Sequence, residues 1–91
     1  MAKVIITAQV QDGVKWEAAY RTHGDIFKTY GLTAPVAYTV AGNEVAMVLE
    51  TSNLDTLMKA LGSQTTADAM AGDGVKKETV KIYALDKSVS V

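Results

Sequence analysis

Alternation governs the start of the chain. From Ile6 to Val10 apolar and polar positions change places at every step, after the apolar run Val4-Ile5-Ile6, and β-branched residues are frequent over Val4 to Val10, which predicts a strand. Asp12-Gly13 breaks the alternation, with Asp12 placed to cap a helix. The period then moves from two to about 3.6. Trp16, Tyr20, His23, Phe27 and Tyr30 fall at steps of four, three, four and three. At about 100° per residue they occupy an arc of roughly 80° on one helix face. Glu17, Arg21, Asp25 and Lys28 lie opposite, with Glu17 and Arg21 as an i,i+4 pair in the favourable order. A helix over Val14 to Tyr30 is predicted, stopped by Gly31 in a left-handed C-terminal turn. Gly24 lies inside it and costs about 1 kcal/mol relative to alanine.

Pro35 to Ala41 reads as a second strand. Gly42-Asn43 suits a tight hairpin with positive backbone φ angles. Glu44 to Glu50 forms the third strand, with Val45, Met47 and Leu49 on one face and Ala46 and Val48 on the other. Ser52-Asn53-Leu54-Asp55 has the form of a capping box, with Asp in place of Glu. A short helix follows, with Leu54, Leu57, Met58 and Leu61 on one side, ending at Gly62. Ser63 to Thr66 starts a further turn or two, over Thr66 to Ala71, which stops at Gly72-Asp73-Gly74. Val75 to Leu85 is the last strand, and Lys87 to Val91 reads as a loose tail or an extension of that strand. The order β-α-β-β-α-β predicts one ferredoxin-like α+β domain over residues 1–91, with helices on one face of a four-stranded antiparallel sheet.

The uncovered face of that sheet carries Ile5, Ala46 and Val48 among Thr7 and Gln9. The last strand is apolar in both phases, with Val80 and Ile82 in one, Tyr83 and Leu85 in the other. A sheet apolar on both sides predicts a second subunit against the open face, a homodimer.

Composition narrows the partners. The 91 residues are 48% hydrophobic, and 9 Lys and Arg stand against 10 Asp and Glu. A near-neutral chain has no general electrostatic drive toward nucleic acid or an anionic membrane. The third strand also offers no aromatic residue on which a base would stack. No apolar run approaches the roughly 20 residues of a bilayer span, and the short apolar stretch near the N-terminus lacks the core of a signal peptide. Cysteine is absent, which excludes disulfides, zinc–thiolate sites and a thiol nucleophile and fits a cytoplasmic protein. One histidine and dispersed carboxylates predict no metal site, and no nucleotide fingerprint or catalytic triad is readable. No cofactor is expected.

The segment from Val10 to His23 runs strand, short turn, Lys15-Trp16, then Tyr20, then His23. In this it resembles the opening of the small dimeric α+β-barrel proteins. Tyr38 to Glu50 is similar to their central hairpin, and Ser52-Asn53-Leu54-Asp55 to the start of their second helix. The resemblance extends to about Gly74. That superfamily includes antibiotic-biosynthesis-type monooxygenases, haem-degrading enzymes, muconolactone isomerases, polyketide cyclases and stress-responsive barrels. The resemblance implies a homodimer with facing sheets and a cavity between sheet and helices in each subunit. It transfers no reaction: the Asn, Trp and His of haem-degrading members are arranged differently along the chain. The loop after the hairpin's first strand is short here.

His23 is the centre of any chemistry. In a largely apolar pocket it would titrate near neutral pH and act as a polar anchor or general base. The simpler role for the same pattern is a histidine at the core's edge, bonded to backbone or to a tyrosine. Trp16, Tyr20, Phe27, Tyr38 and Met47 are the expected pocket residues beside His23, although Trp16 at helical spacing also suits plain packing, and tyrosine rings commonly bury while their hydroxyls reach out. Two functions follow. One is a protein that binds a small apolar or aromatic molecule, extending to a cofactor-independent monooxygenase-like enzyme. The other is a non-catalytic dimeric interaction module with a filled interior.

Overall fold

The computed structural model describes residues 2–22, 32 and 36–90. It contains strands β1 (Ala2–Gln9), β2 (Ala37–Ala41), β3 (Glu44–Thr51) and β4 (Lys81–Leu85). The helices are α1 (Gly13–Tyr20), α2 (Leu54–Leu61) and α3 (Gln64–Gly72), with a 3-10 turn at Lys77–Thr79. The sheet order is β2-β3-β1-β4, every neighbour antiparallel. This is the ferredoxin-like α+β arrangement expected from the hydropathy pattern, with the second helical segment split in two.

The split has a local cause. Gly62 ends α2, and Ser63 at once caps α3 by accepting the Thr66 N–H on its hydroxyl at 3.3 Å. Asn53, not Ser52, caps α2: its side-chain oxygen accepts from the Thr56 N–H at 3.1 Å, while the buried Thr51 hydroxyl holds the Asn53 N–H. Met58, expected on the inward face of α2, is 42% exposed; Leu57 is the residue fully buried there.

α1 begins as predicted. The Asp12 carboxylate accepts from the N–H groups of Val14 and Lys15. It closes earlier than predicted, at Tyr20. The Ala19 carbonyl accepts both the Thr22 N–H (3.0 Å) and the Thr22 hydroxyl (2.6 Å), which tightens the last turn. His23, Gly24, Asp25, Phe27, Lys28, Tyr30, Gly31 and Pro35 lie outside the described residues.

The β2–β3 hairpin is a two-residue turn, but only Gly42 has positive φ, at 64°, where positive values at both central residues were expected. Positive φ at the first position alone is the type II′ pattern. The last strand is also not continuous. Val75 bridges to Val10, the chain then detours through the 3-10 turn, and pairing resumes at Lys81 opposite Thr7. The Thr79 hydroxyl makes the detour possible: it accepts the Gln9 N–H at 2.9 Å and donates to the Lys76 carbonyl at 2.6 Å.

Two buried clusters share the space between sheet and helices. Val4, Ile6, Leu49 and Leu57 form one; Ala8, Val10, Trp16, Tyr20 and Val45 form the other. Val36, Met47 and Val80 pack against both. The opposite face of the sheet is uncovered in the monomer. There Ala37, Val48, Ile5 and Tyr83 stand in register across all four strands, with Val48 37% and Tyr83 49% exposed.

The start of α1 is fixed by a close approach. Asn43 accepts the Val10 N–H on its backbone carbonyl (2.8 Å) and the Gly13 N–H on its side chain (3.3 Å). A Cβ at residue 13 would collide with the Gly42 carbonyl oxygen and lie 2.8 Å from Val40 Cγ1. Gly13→Ala is therefore expected to lower stability by about 1–3 kcal/mol, measured by urea unfolding followed by circular dichroism; an unchanged midpoint would refute the contact.

Candidate functional site

A cavity of about 70 Å³ lies between the sheet and the helices. Each element contributes side chains to it at its own period. β1 presents Ile6 and Ala8, and β3 presents Val45, Met47 and Leu49, at steps of two. α1 presents Trp16 and Tyr20, one turn apart. α3 presents Thr66, Ala69, Met70 and Asp73, the i, i+3, i+4, i+7 stripe of one helix face. Leu61, Val75 and Val80 are the other lining residues among those described.

Trp16 and Tyr20 form the aromatic wall. Their rings stack at 4.5 Å between centroids and 17° between planes, and both residues are buried. The Tyr20 hydroxyl donates to the Met47 sulfur at 3.2 Å, which ties the helix wall to the sheet wall. Tyr38 stands one layer back, edge-on to Trp16 (5.8 Å) and to Tyr20 (5.4 Å). Its hydroxyl accepts from Arg21 Nε at 2.7 Å and donates to Glu17 Oε1 at 2.9 Å; Arg21 Nη2 also reaches Glu17 Oε1 at 3.1 Å. This three-membered ring of bonds clamps α1 onto β2. The bond to Tyr38 first, and the neighbouring Glu17 after it, hold Arg21 above its ordinary pKa, so the guanidinium stays charged.

Of the residues expected at a pocket, Trp16, Tyr20 and Met47 are together on the cavity wall, and Tyr38 braces that wall from behind. His23 and Phe27 lie outside the described residues. The α3 stripe was not expected. Thr66 reads in sequence as part of a helix start and Asp73 as a turn residue, although the spacing of Thr66, Ala69 and Met70 carried the signal. Thr66 is buried, and its hydroxyl donates to the Ala60 carbonyl at 2.5 Å.

Chemically the wall is apolar with few polar atoms. Tyr20 and Asp73 are the ionisable residues among the described lining, and they supply no acid–base pair. No group of three or more His, Asp or Glu side chains able to hold a metal ion occurs among the described residues. None of the described helices is long and apolar enough to cross a membrane.

Solved structures of known proteins share this architecture. A candidate antibiotic biosynthesis monooxygenase of Bordetella bronchiseptica superposes with a TM-score of 0.74 at 18% identity, over 97% of each chain. SnoaB, a cofactor-independent oxygenase from Streptomyces nogalater, gives 0.69 at 8% identity, over 99% of this chain and 95% of that one. The monooxygenase from the gene ActVA-Orf6 of Streptomyces coelicolor, in complex with nanaomycin D, gives 0.65 at 11% identity, over 99% and 89%. The chain has their fold. These identities are too low to carry residue roles across. No protein-family model matches the sequence, and no curated protein matches it.

A void in a core has a stability cost. At about 24 cal/mol per Å³, about 70 Å³ corresponds to on the order of 1–2 kcal/mol of packing forgone. Ala69→Leu, which extends a side chain from α3 into this space, is expected to raise stability by about 0.5–2 kcal/mol. Thermal and urea unfolding of the variant beside the wild type measure it; a loss of stability would mean that the space is not there to fill.

Proposed function

We propose that this protein binds a small apolar or aromatic molecule against the Trp16–Tyr20 wall and acts on it as a cofactor-independent, monooxygenase-like enzyme. The observation that carries the reading is the stacked aromatic pair facing an apolar cavity between sheet and helices. The shared fold of cofactor-independent oxygenases supports it. His23, the only histidine of the chain, is the proposed base. It takes a proton from the substrate, leaving an anion electron-rich enough to react with dioxygen directly, while the aromatic wall keeps water from the anion. Phe27, four residues on from His23 in the sequence, is the proposed apolar neighbour. Tyr38 contributes through the wall it braces.

The reading includes a homodimer closed through the open face of the sheet. Its support is the apolar row Ala37, Val48, Ile5 and Tyr83, which water covers in the monomer. Val48→Lys, in the middle of that row, is expected to convert the dimer to monomer. Light scattering on a sizing column measures this, and a wild type that runs as a monomer would remove the dimer from the proposal.

A second reading has one observation in its favour. A cavity of about 70 Å³ is much smaller than the roughly 300–1,000 Å³ of ordinary ligand pockets. A packed dimeric module without catalysis would have such an interior.

Trp16 is the only tryptophan, so its fluorescence reports the wall without labelling. Titration with a panel of polycyclic phenols and quinols is expected to quench it saturably, with oxygen uptake for those compounds that turn over. His23→Ala is expected to keep the quenching and lose the oxygen uptake. Saturable quenching without uptake in the wild type would reduce the function to binding. No quenching by any compound would favour the packed module.

A further inference from the structure

We propose that the organic ligand fills two joined chambers and ends in an anion. Its aromatic part lies in the cavity against Trp16 and Tyr20; an apolar chain runs past Met70, along a groove beside the last strand, to a carboxylate at Lys77. This substrate class rests on the ligand reading above.

The groove exists because the helix layer stops short of β4. Ile82 pairs with Ile6 and shares its face of the sheet, yet Ile6 is 3% exposed and Ile82 37%. The uncovered space measures about 280 Å³, with α3 on one side and Val80 and Ile82 on the other. The positions that α3 turns toward it, Ala67 and Ala71, are small and one turn apart, which leaves room for a chain between helix and strand. An open apolar trough of this kind favours an apolar occupant. Continuity says which one. Leu61, Met70, Val75 and Val80 line both the groove and the cavity, so the two spaces adjoin across these four residues. Met70 is the most adaptable of them: its unbranched side chain reorients more freely than the branched leucine and valines beside it. Joined, about 70 Å³ and about 280 Å³ enter the range of roughly 300–1,000 Å³ usual for ligand pockets, which the cavity alone does not reach. Charge sets the direction. Among the described residues, the cavity end carries Asp73 and the groove end carries Lys77. Lys77 is exposed and forms no ion pair with a described residue, and Glu78 beside it lines the hollow on the open face of the sheet instead. Its stem runs along the apolar groove while its ammonium reaches water. A ligand carboxylate is disfavoured beside Asp73 and favoured beside Lys77.

The probes are a plain naphthol, the same naphthol carrying a butanoic acid chain, and the methyl ester of that acid. Each is titrated into the full chain, followed by Trp16 fluorescence and by methyl chemical shifts. All three are expected to quench Trp16 and to shift Val45, which lines the cavity; only the two chain-bearing compounds should shift Ile82 in the groove. At low salt the acid should bind about two- to fivefold tighter than the ester, the worth of one exposed charge pair. Lys77→Gln should abolish that preference and leave the plain naphthol unchanged. Ala71→Phe, at an exposed position, should weaken both chain-bearing compounds several-fold and spare the plain naphthol. Ala67→Leu narrows the same groove one turn earlier and should act alike. Equal affinity for acid and ester, or a preference that survives Lys77→Gln, would overturn the anionic end. Chain-bearing compounds that leave Ile82 still, or that bind both narrowed variants as tightly as the wild type, would overturn the groove. Either result, with Trp16 still quenched, leaves the ligand reading standing. Neither quenching nor a shift at Val45 with any of the three would end the ligand reading and the two-chamber site together.

Discussion

The contact between the first turn of α1 and the β2–β3 hairpin sets the rest of the molecule. Gly13 has no side chain because the Gly42 carbonyl occupies the place one would take. Asn43 then holds both the end of the first strand and the start of the helix. With that point pinned and Asp12 capping the first turn, the direction of α1 over the sheet is determined. Trp16 comes to lie over Val45 and Ala8, and Tyr20 one turn further comes within reach of Met47. The aromatic wall thus depends on a glycine and an asparagine that never touch it.

The wall is braced rather than merely packed. On the inner side the Tyr20 hydroxyl meets a sulfur of β3; on the outer side Tyr38 presses its ring edge on both aromatics while its hydroxyl joins Glu17 and Arg21. The outer bonds are exposed and each is worth little alone, because surface charge pairs lose to solvent most of what they gain. Their effect is geometric. Three groups on two elements agree on one position for Tyr38, and two aromatic planes are oriented by it. A pocket whose polar chemistry is sparse needs its apolar surfaces held still, since orientation is most of what such a surface can offer a reacting molecule.

Much of this was legible in the chain. Period-two alternation located the strands, Asp12 marked the helix start, and Gly42-Asn43 marked the hairpin, because each signal is local and rests on backbone geometry. The aromatic stripe gave the facing side of α1. Three things were not legible. The end of α1 depends on a threonine hydroxyl folding back on Ala19, a choice between two partners of similar worth. The cap of α2 moved from Ser52 to Asn53 because Thr51, buried by the sheet, claimed the Asn53 N–H. The contribution of α3 to the cavity is tertiary: Thr66, Ala69, Met70 and Asp73 form a weak stripe by hydropathy and become a wall only once Val45 and Ile6 stand opposite.

The detour before β4 separates two properties that most sheets keep together. In an unbroken strand, lengthening or reshaping the segment between Val75 and Val80 would slide every later pair out of register. Here one hydroxyl, that of Thr79, stands in for a ladder partner and takes up the slack, receiving Gln9 on one side and returning to Lys76 on the other. The two valines that bound the detour both line the cavity. The rim of the chamber can therefore change shape while the register of the sheet is preserved. Descendants of this chain have a place to alter the volume of the interior without renegotiating the fold.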